Sequence, residues 1–218
     1  GLDKLIDEQI EKAKFSDDGY IRLKMNSISD RKLIDKLSKA SCKGVKIDLM
    51  VRGICCLVPG IKDKTENINV YQVVGRFLEH HRIYQFGKAE NCKLYISSAD
   101  FMTRNIRKRV EVAVPIYDDF IKHRILNFMD IMFDDDTKIR KLNPDKSYSR
   151  VENTENKNAQ EILIDIAKEN AVIKQPEVND DNRVINSKSN ETINQDNNDS
   201  KRMNLFDKIK NFFKNLTH

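Results

Sequence analysis

Two histidines and two arginines lie within seven residues, in the stretch from Arg76 to Arg82. His80 and His81 are half of the four histidines in the chain. Near neutral pH a histidine can act as a nucleophile, an acid or a base. The alternative is a structural histidine held by hydrogen bonds. The flanking arginines favour a functional site, because such a cluster repels itself unless an anion is bound.

Arg52 and a group of small polar residues follow two predicted strands. In an open α/β sheet, ligands bind beyond the carboxyl ends of strands, and Arg52 directly follows a strand over residues 45–51. Its guanidinium offers a planar fork that matches phosphate oxygens, although a surface salt bridge is the alternative. Ser97 and Ser98 can donate to phosphate, and Asp100 can orient a histidine or an arginine. The alternative for these three is a capped turn.

The common loop motifs for binding phosphate are absent. Neither G-x-x-x-x-G-K-[ST] nor G-x-G-x-x-G occurs, so a phosphate site here has to be built from side chains. The G-x-S-x-G motif of a serine nucleophile is absent as well. The four cysteines are too few for a disulfide scaffold, and the lack of a C-x-x-C argues against zinc. These features indicate reduced thiols and a cytoplasmic location.

The elements that position these residues alternate between helical and strand periods. The spacing of apolar residues predicts helices over residues 2–13, 33–40 and 119–133. Ser29 or Asp30 can cap the second helix, and Asp118 can cap the third. Alternating or β-branched stretches predict strands over residues 20–25, 45–51, 69–74, 82–86, 93–97 and 110–116. The first two strands and their helix form a parallel crossover, so we predict an α/β fold with a mixed sheet flanked by helices.

Composition divides the 218-residue chain near residue 152. Residues 153–218 hold 10 of the 39 Lys and Arg but 11 of the 34 Asp and Glu, so the positive excess lies in residues 1–152 and favours an anionic ligand. We predict a domain over 1–152 and a helical extension over 153–174. Residues 175–200 are predicted to be a disordered linker, because their seven Asn and few aliphatic residues bury little apolar surface.

The last segment, residues 201–218, is predicted to form a basic amphipathic helix. Such a helix can lie on an anionic membrane surface or dock on a partner. Packing on its own protein is the preferred interpretation. The longest apolar run, residues 54–58, is far shorter than the ~20 residues of a membrane span, and the first residues contain no apolar signal-peptide core.

Four strings in order resemble the C-terminal catalytic region of bacterial polyphosphate kinases. They are residues 21–27 (IRLKMNS), 44–60 (GVKIDLMVRGICCLVPG), 75–80 (GRFLEH) and 97–105 (SSADFMTRN). Residues 109–112 (RVEV) and 138–140 (KIR) fit the same family. The resemblance covers roughly residues 2–152, and its ordered strings are more specific than any single motif.

The resemblance implies the second of two related domains of phospholipase D-like fold, which face each other across a phosphate-lined tunnel. The family transfers the terminal phosphate of ATP reversibly to inorganic polyphosphate through a phosphorylated histidine. That histidine belongs to the first domain, and its surrounding motif is not found in this chain. The resemblance also implies ATP and ADP as nucleotides, Mg²⁺ with ligands outside this chain, the remaining domains as partners, and a homo-oligomer.

Two ATP-contacting positions of the family fall on Arg52 and His80, and His80 is the candidate acid or base. Fixed positive charge from further arginines, together with the two serines, completes the predicted phosphate site. The additional predicted residues are Arg76, Arg82, Ser97, Ser98 and Arg104.

The match to phospholipase D itself is partial. His80-x-Arg82 resembles the H-x-K of that superfamily, but Gly87 stands where an acid is expected. Two alternatives to a polyphosphate kinase therefore stay open. One is a phosphate-binding or nucleic-acid-binding module without chemistry, and the other is half of a phospholipase D-like phosphodiesterase.

Overall fold

An eight-stranded mixed sheet organises the part of the chain that the structure describes. The structure is a computed structural model and describes residues 1–16, 18–89, 91–151 and 155–173. The strands are β1 (Tyr20–Met25), β2 (Lys46–Val51), β3 (Ile68–Val73), β4 (Ile83–Phe86), β5 (Lys93–Ser97), β6 (Ala113–Pro115), β7 (Ile139–Leu142) and β8 (Tyr148–Arg150). The predicted α/β fold with a mixed sheet flanked by helices is confirmed. The linker predicted for 175–200 and the helix predicted for 201–218 lie outside the described residues.

The strands follow the order β6-β5-β4-β1-β2-β3-β7-β8. β1, β2 and β3 are parallel, whereas every other neighbouring pair is antiparallel. Helix α2 (Arg31–Ser41) joins β1 to β2, which confirms the predicted parallel crossover. The carboxylate of Asp30 accepts a hydrogen bond from the Leu33 amide, so of the two caps that the sequence allowed, Ser29 and Asp30, the structure has Asp30.

Helices cover both faces of the sheet. On one face, α1 (Leu2–Ser16) and α2 pack on alternate residues of the central strands. That cluster includes Ile6, Ile10, Ile21, Leu23, Leu37, Ile47 and Leu49. On the other face lie α4 (Asp119–Phe133) and α5 (Ala159–Ile173). Their clusters include Met50, Val73, Ile83, Leu94, Met129 and Met132.

Helix α5 packs on the sheet that precedes it. Its apolar residues Ile162, Leu163 and Ile166 contact the cluster around Val73 and Met132. The helix lies within the extension predicted for residues 153–174. Full burial of such a side chain is worth roughly 1.5–3 kcal/mol, and these partly buried ones contribute less than that each. Within the described ranges, no helix is both long and apolar enough to cross a bilayer.

Three elements were not predicted from the sequence, and one strand is shorter than predicted. Helix α3 (Thr103–Arg107), β7 and β8 are additional elements. In β7 the two buried residues, Ile139 and Leu142, are three apart, so they face opposite sides of the sheet and show no alternation. The strand predicted for 110–116 is confined to β6, because only residues 113–115 pair with β5.

Candidate functional site

Most of the predicted site residues lie at one edge of the sheet because of the strand directions. β1 and β2 are parallel and end there, immediately before Asn26 and Arg52 respectively. β4 runs antiparallel to β1, so it begins there, directly after Arg82. β5 runs antiparallel to β4 and ends there with Ser97, whose amide donates to the Arg82 carbonyl at 2.9 Å.

Asp100 is the buried anchor of this edge. Only 5% of the residue is exposed. One carboxylate oxygen accepts from the Asn26 amide at 2.8 Å and the Ser27 amide at 3.3 Å. Burial alone would raise the pKa of Asp100, but the hydrogen bonds from Arg82 and these amides outweigh it and lower the pKa. Asp100 is therefore a fixed negative charge.

Arg82 is held by Asp100 and in turn contacts His80. Its Nε and Nη2 donate to the two carboxylate oxygens of Asp100 at 3.2 and 3.0 Å. Its Nη1 lies 3.1 Å from Nδ1 of His80 and also donates to the His80 carbonyl at 3.1 Å. A guanidinium only donates, so in a neutral ring the nearer nitrogen, Nδ1, accepts this contact; Nη2 of Arg82 also lies 3.5 Å from Nε2. The imidazole itself is exposed.

Arg52 joins the same network through Asn26. The Arg52 Nε donates to the Asn26 side-chain oxygen at 3.1 Å, and the Asn26 side-chain nitrogen lies 3.3 Å from Asp100. A continuous chain of contacts therefore runs from Arg52 through Asn26, Asp100 and Arg82 to His80. Asn26 was not singled out from the sequence as a site residue. Its signals in the sequence are its place directly after β1 and its membership of the family-like string over residues 21–27.

The two serines use their hydroxyl protons within the chain. Ser97 Oγ donates to the Val112 carbonyl at 3.1 Å, and Ser98 Oγ donates to the Glu111 carboxylate. The bond from Ser98 and one from Asn105 lower the pKa of Glu111. Ser97 and Ser98 therefore border the site without offering a free hydroxyl proton to it in this structure.

The structure does not bring Arg76 and Arg104 into this network. Arg76 is exposed, and its guanidinium lies 5.2 Å from the ring centre of the adjacent Phe77. Arg104 is exposed on α3. Gly87, at the position where phospholipase D carries an acid, follows β4 at the opposite edge of the sheet. The carboxylate that binds Arg82 belongs to Asp100.

A buried ion pair lies beside His80. Lys24 on β1 is 1% exposed, and its Nζ lies 3.1 Å from the carboxylate of Glu79. Burial tends to raise the pKa of Glu79, but bonds from His81 and Gln160 and the charge of Lys24 lower the pKa to about 2. Glu79 is thus ionised and fixes the backbone position that precedes His80.

An open depression of about 460 Å³ adjoins the network. One wall contains His80, Arg82 and Ser97, and the other is the apolar side of α4, including Ile125 and Phe128. Pockets of about 300–1,000 Å³ typically bind small molecules. The depression therefore has the size for part of a nucleotide beside an edge that can bind phosphate.

Comparison with known protein families decides what kind of domain this is. The model of the polyphosphate kinase C-terminal domain 2 matches residues 1–161. The chain belongs to the polyphosphate kinase family. The resemblance carried by the four sequence strings is therefore confirmed.

Individual polyphosphate kinases give the same result. The chain is 44% identical over 151 residues to that of Lactiplantibacillus plantarum, covering 69% of this chain and 21% of the relative. It is 48% identical over 168 residues to that of Bacillus cereus, covering 76% of this chain and 24% of the relative. The crystal structure of the Porphyromonas gingivalis enzyme superposes with a TM-score of 0.74 at 35% identity, covering 78% of this chain and 26% of that one. The chain thus spans about a quarter or less of these curated relatives.

Mg²⁺, which the family's use of ATP implies, does not fit the residues at this edge. Among the described residues, no three His, Cys, Asp or Glu side chains are placed to hold a metal ion. The three nearby carboxylates are already engaged, Asp100 by Arg82, Glu111 by Ser98 and Asn105, and Glu79 by Lys24 and Gln160. No step of the mechanism below depends on a metal held by this part of the chain.

Proposed function

We propose that this chain is the second catalytic domain of a polyphosphate kinase, in which Arg52, Arg82 and His80 act on the phosphates of ATP. The observation that carries the proposal is the continuous network from Arg52 to His80. It holds two guanidinium groups and one imidazole at a single sheet edge, next to a depression of suitable size.

The two arginines differ in the charge that they offer. Asp100 offsets part of the charge of Arg82 while fixing its orientation. Arg52 is held by the neutral amide of Asn26, so its charge is not offset by that partner. A transferring phosphoryl group spreads negative charge over three oxygens, so catalysis depends mostly on positioning and electrostatic stabilisation. Arg52 is therefore the main phosphate-binding group in this proposal.

His80 supplies the proton in this mechanism. The bond between the γ-phosphorus of ATP and its bridging oxygen breaks, and a bond forms from phosphorus to the nucleophilic histidine of the first domain. In this step His80 is an imidazolium, protonated on both ring nitrogens: its Nε2 proton goes to the departing ADP oxygen, and the neutral ring regains a proton from water after ADP leaves. A terminal oxygen of polyphosphate then attacks the phosphohistidine, which lengthens the polymer by one phosphate and frees the histidine. The same steps in reverse regenerate ATP.

We further propose the substrates, partners and location of the whole protein. ATP and inorganic polyphosphate are the substrates, and Mg²⁺ accompanies ATP with ligands outside this chain. The remaining domains of the same cytoplasmic enzyme complete the site, and the enzyme is a homo-oligomer. The preferred role of residues 201–218 is packing on the protein itself, and contact with the inner face of the membrane is the alternative.

The test compares Arg52→Ala with Lys88→Ala in the full-length enzyme. Lys88 is exposed, follows β4 at the opposite sheet edge and pairs with Asp18 on the surface. Each variant removes one positive charge, but only Arg52 belongs to the network. We expect polyphosphate synthesis from radiolabelled ATP to fall strongly in Arg52→Ala and to stay near wild type in Lys88→Ala. Equal losses in both would show that overall charge, and not this site, matters.

A further inference from the structure

Gln160 on α5 clamps the loop that carries His80. The residue is 5% exposed and lies 83 positions after Phe77 in the sequence. Its Oε1 accepts from the Phe77 amide at 2.9 Å, and its Nε2 donates to the Phe77 carbonyl at 2.9 Å. One side-chain amide thus satisfies both backbone groups of a single loop residue, as a paired strand would.

The same amide also binds the residue that precedes His80. Gln160 Nε2 donates to Glu79 Oε1 at 2.7 Å, while Lys24 Nζ lies 3.1 Å from Glu79 Oε2. Glu79 is therefore held from α5 on one side and from β1 on the other. A buried ion pair is often no more stabilising than packed apolar residues. We therefore attribute to these contacts a geometric role, which is to fix the position of Glu79 in the loop.

The first part of the loop between β3 and β4, residues 74–82, has little apolar support. Its last part is held separately, at Glu79 by Lys24, at His81 by an edge-on contact with Phe128, and at Arg82 by Asp100. Val74, Phe77 and Leu78 are exposed by 63%, 49% and 67%, so the apolar side chains bury little surface. Gly75 lies so close to the clamp that a Cβ there would be 2.5 Å from Gln160 Oε1. The contacts of Gln160 therefore hold the part of the loop around Phe77.

We propose that Gln160 is a positioning residue that holds the 74–82 loop so that His80 stays against Arg82. The proposal rests on the function proposed above, because it assigns Gln160 an effect on phosphoryl transfer through His80. It makes α5 a part of the catalytic domain and not an appended segment. Gln160 itself touches neither His80 nor Arg82 through any of the hydrogen bonds described.

The clamp is tested first on the full 218-residue chain by amide hydrogen exchange. Gln160→Met keeps the side-chain length and removes all three hydrogen bonds. Losing the bond to the charged Glu79 alone shifts the equilibrium between the closed and the open loop toward the open loop by about 10–150-fold. We therefore expect the Phe77 amide to exchange at least about tenfold faster than in the wild type, with the amides of β1 as the internal reference. Leu163→Ala is the matched control, since it weakens the packing of α5 without breaking the clamp.

A second variant approaches the same contact from the loop. Gly75→Ala displaces the Gln160 amide through the added Cβ, so it should also accelerate exchange at Phe77, even if Gln160→Met folds poorly. Unchanged protection of Phe77 in Gly75→Ala, or equal acceleration in Leu163→Ala, overturns the clamp whatever the function of the domain.

The catalytic effect is tested by a double-mutant cycle in the full-length enzyme. Gln160→Met should lower kcat about tenfold or more while changing the KM for ATP much less, and it should have no further effect when His80 is already alanine. If the two effects multiply, Gln160 acts independently of His80 and the positioning role is wrong. If His80→Ala itself leaves kcat unchanged, the proposed function of His80 fails, and this result is distinct from a failed clamp.

Discussion

Arg82 and Asp100, eighteen residues apart, form a two-point ion pair between the start of β4 and the turn after β5. Their side chains are 14% and 7% exposed. Asp100 also binds the amides at the end of β1, so a single carboxylate connects the ends of three strands. The orientation of Arg82 toward His80 therefore depends on residues from separate parts of the chain.

The first prediction concerns Asp100→Asn. The change removes the negative charge that holds Arg82, and breaking a buried ion pair costs about 3–5 kcal/mol. Urea unfolding of the 218-residue chain should show a loss of about that size. The control Asp18→Asn breaks the exposed pair with Lys88 and should leave stability unchanged. Equal stabilities for wild type and Asp100→Asn would mean that this pair does not hold the site together.

Acid pH should remove the stabilising effect of Glu79. The pKa of Glu79 is lowered from an ordinary value of 4.5 to about 2 in the folded chain. The contribution of Glu79 to the free energy of unfolding is therefore fully present above pH 4.5 and is lost as the pH falls toward 2. Glu79→Gln leaves Lys24 buried without a counter-charge and should be destabilised by a few kcal/mol at pH 7. We expect the difference in the free energy of unfolding between wild type and Glu79→Gln, measured with urea, to decrease as the pH falls from 4.5 to 2. A difference that is constant over this range would contradict the ionised pair.

Truncation should distinguish the tail from α5. Deleting residues 175–218 should leave the melting temperature nearly unchanged, because the sequence of the linker offers little apolar surface to bury. Deleting residues 158–218 also removes α5 and exposes the cluster around Val73 and Met132, so the melting temperature should fall by more than about 5 °C. A large fall in the shorter truncation would show that the last segment packs on the domain.

The 218-residue chain alone should fold but make no polyphosphate. The proposed nucleophilic histidine lies in another domain, so ATP and Mg²⁺ should give no polymer in phosphorus NMR. The full-length enzyme at the same concentration is the positive control. Sustained polymer formation by the chain alone would mean that one of its own histidines is the nucleophile.

The sequence predicted the central part of this fold well because its signals there are local. The apolar period of the helices, the alternation in β1 and β2, and the capping residues Asp30 and Asp118 each act within a few positions, and both caps are confirmed. β7 escaped prediction because its two buried residues, Ile139 and Leu142, face opposite sides of the sheet.

The candidate site was only partly predictable because its contacts are distant in sequence. Arg52, His80 and Arg82 could be chosen by residue type and position. Asp100 was predicted to orient a histidine or an arginine, and the structure shows that it binds Arg82. Asn26, which joins Arg52 to Asp100, is an ordinary polar residue after a strand until the sheet order places it between them. Gln160 was likewise hidden, since its partners lie more than 80 residues earlier.

Steady-state kinetics and nucleotide binding of Arg52 and His80 variants in the full-length enzyme test the central proposal most directly. Arg52→Ala should lower kcat/KM for ATP by about 10–150-fold. Arg52→Lys should restore kcat/KM only in part, because lysine cannot form the paired hydrogen bonds of a guanidinium. His80→Ala should lower kcat by about 10²–10⁴-fold with a smaller effect on nucleotide binding, and His80→Gln should not restore it. A His80→Gln enzyme that turns over like wild type would contradict the acid role of His80.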